Sequence, residues 1–204
     1  MGLLCLQVRG AVSEPRDDRE LVGAALGGDE SAFAELVRRH QAGVRRCAAR
    51  ILLDHEEARD VAQLAFIRAW ENLARYDAAW SFSTWLYRIA SNLAIDTLRS
   101  RESRDRTHSG HLRLVGDRVE PVALGKLGED EVSRIFDELA AALPPMQRAA
   151  FVLREVQGLA TAEVATALEC TEATVRNHVF QARQALRREL ARRYPEYLPT
   201  GGKR

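Results

Sequence analysis

The sequence predicts an all-α protein: two small helical domains joined by a flexible linker. Three observations carry that expectation. Apolar residues recur at helical spacing through most of the chain. Alanine, leucine and arginine dominate, with six prolines in 204 residues, a composition that favours helix over sheet. The periodicity also breaks decisively between residues 100 and 128, where arginine, serine, glycine and aspartate take over with two histidines. A hydrophobic content of 46% allows folded cores to form.

The elements follow in order. Residues 1–8 are apolar but lack a basic leader and are too short for a secretory core, so residues 1–16 read as a flexible lead-in. A short helix at about 17–27 comes next. Asp29 can cap a helix whose inward positions are Phe33, Leu36, Val37, Val44, Cys47, Ala48 and Ile51. Asp54 with Glu57 has the form of a capping box, opening a helix with Ala58, Val61, Ala62, Ala65, Phe66, Ala69, Trp70 and Leu73 on one stripe. A loop at 76–81 leads to a helix with Phe82, Trp85, Leu86, Ile89, Ala90 and Leu93 inward.

These helices make a first domain over 17–100, and the linker spans 101–128. A second domain over 129–193 begins with Val132, Ile135, Phe136, Leu139 and Leu143 as its apolar positions. Pro144 stops that helix and Pro145 suits the first turn of the next, which Gly158 can end. Thr161 then caps a short helix, and Thr171 caps a longer one with Val175, Val179, Ala182, Leu186 and Leu190 inward. Residues 194–204, with two prolines and a glycine pair, read as a disordered tail.

Charge is segregated along this chain. The net +1 conceals −5 over residues 14–35, +3 over 97–118 and +4 over 171–193. Separated blocks point to different partners for different segments, with nucleic acid the natural one for the basic blocks, although charge alone leaves a solvated basic face equally open. The three cysteines, Cys5, Cys47 and Cys170, share no CxxC spacing, which suits a reducing cytoplasm rather than a disulfide framework or a zinc site. No apolar run approaches the ~20 residues that span a bilayer.

Three constellations carry chemistry. Helices at about 162–168 and 172–192, joined by a tight turn, match a helix-turn-helix, whose second helix enters the major groove. Its outward face presents Arg176, Asn177, Phe180, Gln181 and Gln184. Arginine pairs with guanine, asparagine or glutamine with adenine, and an apolar group can meet a thymine methyl. Arg183, Arg187, Arg188, Arg192 and Arg193 lie farther along, where phosphates are reached. On the helix opened by Asp54, Leu64 and Ile67 fall off the inward stripe, on a face shared with Asp60, Gln63 and Glu71. A mixed face of this kind suits a protein partner. Finally, the stretch from Trp80 through Ser83 and Thr84 leads onto a polar face with Arg88, Ser91, Asn92, Asp96 and Arg99. Aromatic, arginine and amide groups together suit unpaired DNA. Phe82 and Trp85 are expected in the core.

The motifs ARDVAQLAFIRAW at 58–70 and FSTWLYRIASN at 82–92 resemble region 2 of extracytoplasmic-function (ECF) sigma factors of bacterial RNA polymerase. LPPMQRAAFVLRE at 143–155 and TVRNHVFQAR at 174–183 resemble their region 4. The resemblance runs from about Asp18 to Arg193, in the right order and spacing, and a linker of 101–128 leaves no room for the middle domain of housekeeping sigma factors. It implies a promoter-recognition subunit that is not an enzyme and needs no cofactor or metal. Asp60, Gln63, Leu64 and Ile67 would dock on the clamp coiled coil of the polymerase's largest subunit. Trp80, Ser83, Thr84, Arg88, Asn92, Asp96 and Arg99 would hold the melted −10 strand. Thr174, Arg176, Asn177, Phe180, Gln181, Arg183 and Arg187 would read the −35 element, and the linker would lie in the polymerase channel. An anti-sigma factor is the implied regulator, holding the protein in the cytoplasm or at the inner membrane. The chain departs from the family at Leu64, where relatives usually carry an acid, at Ala173 in place of glycine, and at Gln181 in place of a basic residue.

Rival readings are weaker on the same residues. A response-regulator-type transcription factor would share the helix-turn-helix but needs alternating strands and helices ahead of it. A metal-dependent hydrolase would have to use His108 and His111, which lie in the linker without a glutamate or cysteine ligand set. An adaptor would bind polymerase without opening promoters.

Overall fold

The structure, a computed structural model, describes residues 16–107 and 129–197. The lead-in, most of the expected linker and the end of the tail lie outside the described residues, as do Cys5, His108 and His111. The described residues form eight α-helices and no strand.

Helix α1 (Asp18–Leu26) is opened by Asp17, whose carboxylate accepts from the Glu20 amide while Glu20 accepts from the Asp17 amide. Helix α2 (Glu30–Leu52) is capped by Asp29, and α3 (His55–Glu71) by Asp54, which accepts from the amides of Glu56 and Glu57. Each cap satisfies donors that the first helical turn leaves unpaired. Glu57 does not close the expected capping box. It pairs instead with Arg101, which also reaches Asp54 at 3.1 Å. That ion-pair cluster ties the end of α4 (Phe82–Thr107) to the start of α3, and α4 accordingly runs past the expected boundary at 100. Leu36, Val44, Ala65, Phe66, Phe82 and Leu86 share the core of these four helices. At Gly43 a Cβ would stand 2.8 Å from the Tyr87 hydroxyl, so glycine leaves room on α2 for the tip of that α4 side chain.

In the second half, α5 (Glu129–Ala140) is followed by α6 (Pro145–Phe151), which takes Pro145 in its first turn as expected. One π-helical turn over Val152–Val156 continues α6, with the Gln157 amide bonded to the Val152 carbonyl at 2.9 Å, and Gly158 turns the chain at φ +75°. Helix α7 (Thr161–Ala167) corrects one expectation. Thr161 lies inside the helix, and Glu163 reaches back to the Ala160 amide at 2.6 Å. Glu169, in the left-handed region at φ 52°, makes the tight turn into α8 (Glu172–Arg193), which Thr171 caps as expected. Trp70 is a second correction. It is 41% exposed rather than inward, because it lies at the edge of the stripe against Phe33, ring centroids 4.8 Å apart.

The two halves are not separate bodies. One apolar core runs continuously from Cys47, Ile51, Ile95 and Leu98 of α2 and α4 to Leu153, Val164, Leu168 and Val175 of the second half. Arg50 lies over the Phe136 ring at 5.5 Å. Arg148, 6% exposed, donates to the Ala140 carbonyl, and burial draws its guanidinium down to about 10. Asp137 faces His55 across the same seam at 4.0 Å, and its Oδ1 finds no donor.

Burial pushes the Asp137 carboxyl above its usual range, ahead of the opposing pull of His55, Arg50 and Arg148. A raised folded-state pKa means that its stabilising contribution is complete below the unfolded value of about 3.9 and is lost as pH rises through the folded value. Asp137→Asn is therefore expected to raise the thermal midpoint at pH 7, with the gain shrinking as pH falls toward that value. A gain that grew on acidification would show that ion pairing, not burial, dominates at Asp137.

Candidate nucleic-acid interface

Helix α8 turns Val175, Val179 and Ala182 into the core, with Leu186 half-buried beside them. The same 3.6-residue repeat leaves Arg176, Asn177, Phe180, Gln181 and Gln184 exposed, as the spacing predicts. Arg176 is held along the helix by Glu172 at 3.2 Å, and Arg183 by Glu155 at 2.6 Å. Both pairs are exposed and weak enough for a phosphate or base to displace them. Thr174 is half-buried and hydrogen-bonded to Thr171, where it fixes the helix start. Phe180 is 55% exposed and borders a groove with Phe136, Phe151, Leu186 and Tyr197, a contact that the sequence did not announce.

On α3, Asp60 and Gln63 are exposed, and Leu64 and Ile67 are 40% and 53% exposed. Ile67 and Gln63 line an open groove against Val37, Gln41 and Arg45 of α2. This face is bare, with large apolar groups beside polar ones.

The third constellation is arranged differently. The turn before α4 is rigid: the Tyr76 hydroxyl donates to the Trp80 carbonyl at 2.7 Å, and Ser81 bonds Ser83 and Thr84. Phe82 is buried among the rings of His40, Tyr76 and Trp85, as expected of a core residue, and Trp85 is half-buried. The polar face is only partly open. Thr84 is 9% exposed and Ser91 fully buried, Arg88 and Asn92 are half-covered, and Asp96 and Arg99 are free to solvent. What covers this face is α7 and the turn after it.

Cys47 is buried, with its thiol pushed up to about 12, and burial also raises Cys170. Neither forms the thiolate readily, so a packing role accounts for both. Among the described residues no group of three or more His, Cys, Asp or Glu is placed to hold a metal ion, and no helix is long and apolar enough to cross a membrane.

The profile described as Sigma-70 region 2 matches residues 36–104, and that described as Sigma-70, region 4 matches 133–186. The chain is 36% identical to the RNA polymerase sigma-H factor of Pseudomonas aeruginosa, over 85% of its own length and 93% of that protein's. It is 35% identical to the ECF RNA polymerase sigma factor SigW of Bacillus subtilis, with 80% and 91% covered. The chain belongs to the ECF branch of the sigma-70 family.

This sigma factor is also 32% identical to the ECF RNA polymerase sigma-E factor of Escherichia coli K12, over 86% of its chain and 95% of that protein. Its fold is that of CnrH, solved in complex with the cytosolic domain of CnrY, at a TM-score of 0.64 and 24% identity over 86% of this chain and 98% of that one. It is likewise that of RpoE, solved in complex with the anti-sigma factor NepR from Bartonella quintana, at 0.62 and 22% identity over 79% and 98%. The response-regulator reading gives way to these matches, and among the described residues only helices precede the helix-turn-helix. Sequence reasoning missed Glu163 and Glu169, the acids that meet the α4 face. Their signal, two carboxylates flanking the turn of a DNA-binding motif, was present but gave no hint of what they touch.

Proposed function

We propose that this sigma factor binds core RNA polymerase through the second face of α3, reads the −35 element with the outward face of α8, and holds the unpaired −10 strand along α4. Residues 17–100 would act as the region 2 domain and 129–193 as the region 4 domain. The observation that carries this reading is the segregation of three unlike surfaces onto three helices. Leu64 and Ile67 stand exposed beside Asp60 and Gln63, the composition of a protein-docking patch. Exposed Arg, Asn, Phe and Gln in the first turns of α8 suit base edges. The polar face of α4 begins under a rigid aromatic turn and suits an unpaired strand.

No step of phosphodiester synthesis falls to this chain. Catalysis belongs to the core enzyme, and the sigma factor applies binding energy to unpairing promoter DNA without a cofactor of its own. The cytoplasm is its place of work. An anti-sigma factor is the regulatory partner that fits it, by analogy with the neighbour solved in such a complex.

The docking face is tested by Asp60→Arg combined with Gln63→Ala. Both residues are exposed, so the helical signal should be unchanged, while co-purification with core polymerase should fall about tenfold or more, the scale of a central interface contact. Undiminished co-purification would place the docking surface elsewhere.

A further inference from the structure

We infer that α2 and α3 form, against α5, a binding site for a small anion of two or more linked phosphates, held by Arg45, Arg46, Arg50 and Arg59. These arginines line one cavity of about 320 Å³, together with His55 and Asp137. The helical repeat assembles them. Arg46 and Arg50 lie one turn apart on α2, and His55 and Arg59 one turn apart on α3. Like charges at that spacing repel one another. Among the described residues none of the four guanidiniums has a carboxylate at ion-pair distance, and Arg50 rests instead on the Phe136 ring. Adjacent arginines elsewhere in the fold are treated differently. Arg38 and Arg39 share Glu35, and Arg192 and Arg193 share Glu189. Arg45 and Arg46 have no such acid. The one carboxylate lining the cavity is Asp137, which faces His55 at 4.0 Å.

The ligand class follows from the lining. A guanidinium presents a planar fork of donors that matches phosphate oxygens in pairs, so several forks about one cavity suit linked phosphates. Four guanidiniums against one carboxylate leave a positive surplus, which a multiply charged anion neutralises. The cavity is at the small end of ligand sites and too small to seat a duplex. Among the described residues neither a phenyl nor an indole ring lines it, so recognition is of the phosphate chain, with no platform for a base. Arg45 and Arg59 also line the groove beneath Gln63 and Ile67, which puts the anion at the edge of the α3 docking face.

The test is isothermal titration calorimetry of the full chain with sodium diphosphate, at constant ionic strength and without divalent cations, which would sequester the probe. The unsubstituted chain is expected to bind a single diphosphate. Arg46→Gln with Arg59→Gln removes two of the four holding groups from exposed positions and should weaken binding about tenfold or more, the scale of lost charge-assisted hydrogen bonds. Arg68→Gln with Arg75→Gln removes two exposed charges that do not line the cavity and should leave binding within about twofold, since salt screens distant charges. Asp137→Asn should tighten binding, because the opposing carboxylate is gone, and a gain of this kind cannot arise from a damaged fold. ATP in place of diphosphate distinguishes the source of the phosphates. Comparable binding assigns the site to the phosphate chain of a nucleotide and weaker binding to the free anion, and either upholds it. Absence of saturable binding to diphosphate and ATP alike would overturn the site. Equal weakening by the two double variants would also overturn it, since general attraction to a basic surface would then account for the binding.

Discussion

Replacing Phe82 with alanine is expected to cost about 3–5 kcal/mol of stability, the range for deleting a buried aromatic ring. Phe82 is 1% exposed, with the rings of His40, Tyr76 and Trp85 at 5.6, 5.8 and 5.8 Å. It opens α4, so its ring is the point at which the rigid turn bearing Trp80 is anchored to the core. The cavity left by alanine would be walled by aromatic rings fixed on α2, α4 and the turn, which cannot easily collapse into it. Urea denaturation followed by circular dichroism measures the loss, and Phe82→Leu should recover a substantial part of it. A loss below about 1 kcal/mol would mean that the turn relaxes into the space. Trp80 would then be held by its neighbours in sequence rather than by the core.

Gln181→Arg is expected to change which −35 sequence the protein selects. Gln181 is exposed in the part of α8 that reaches base edges when a helix-turn-helix docks. Arginine there offers a bidentate pair to guanine, so one position of the preferred element should shift toward guanine, with about 1–3 kcal/mol lost on the original site. Arg188→Ala should behave differently. Arg188 is exposed beyond the reading turns, so its loss should weaken all promoters alike and flatten the salt dependence of binding. Selection from a library randomised over the −35 element separates the two outcomes. If the Gln181 variant selects the parental sequence, the reading register on α8 lies one face away.

Most of the local structure was legible in the amino-acid sequence because capping and helical periodicity are short-range. Asp29, Asp54 and Thr171 each cap the helix that their spacing announced, since a side-chain oxygen three residues ahead of an apolar stripe needs no help from distant segments. The exposed face of α8 and the off-stripe pair Leu64 and Ile67 followed from the same repeat. Where a competing partner existed, local reasoning failed. Glu57 left its capping role for Arg101, forty-four residues away, and the ion pair carried α4 onward. Thr161 ceded the start of α7 to Ala160 because Glu163 supplied the oxygen that the helix start required.

The sequence by itself thus determined the eight helices of the described residues, the helix-turn-helix and the exposed faces of α3 and α8, since each depends on residues within a few turns of one another. Only the tertiary structure decided how the halves meet. The contacts that join them, Thr84 with Glu163, Arg88 with Glu169 and Ile95 with the second half, link residues far apart in the chain. No periodicity encodes such pairs. The Ile95 contact draws its energy from excluding water between apolar groups, and the other two from pairing polar groups, on surfaces that each read, taken alone, as an ordinary polar face with a few apolar groups.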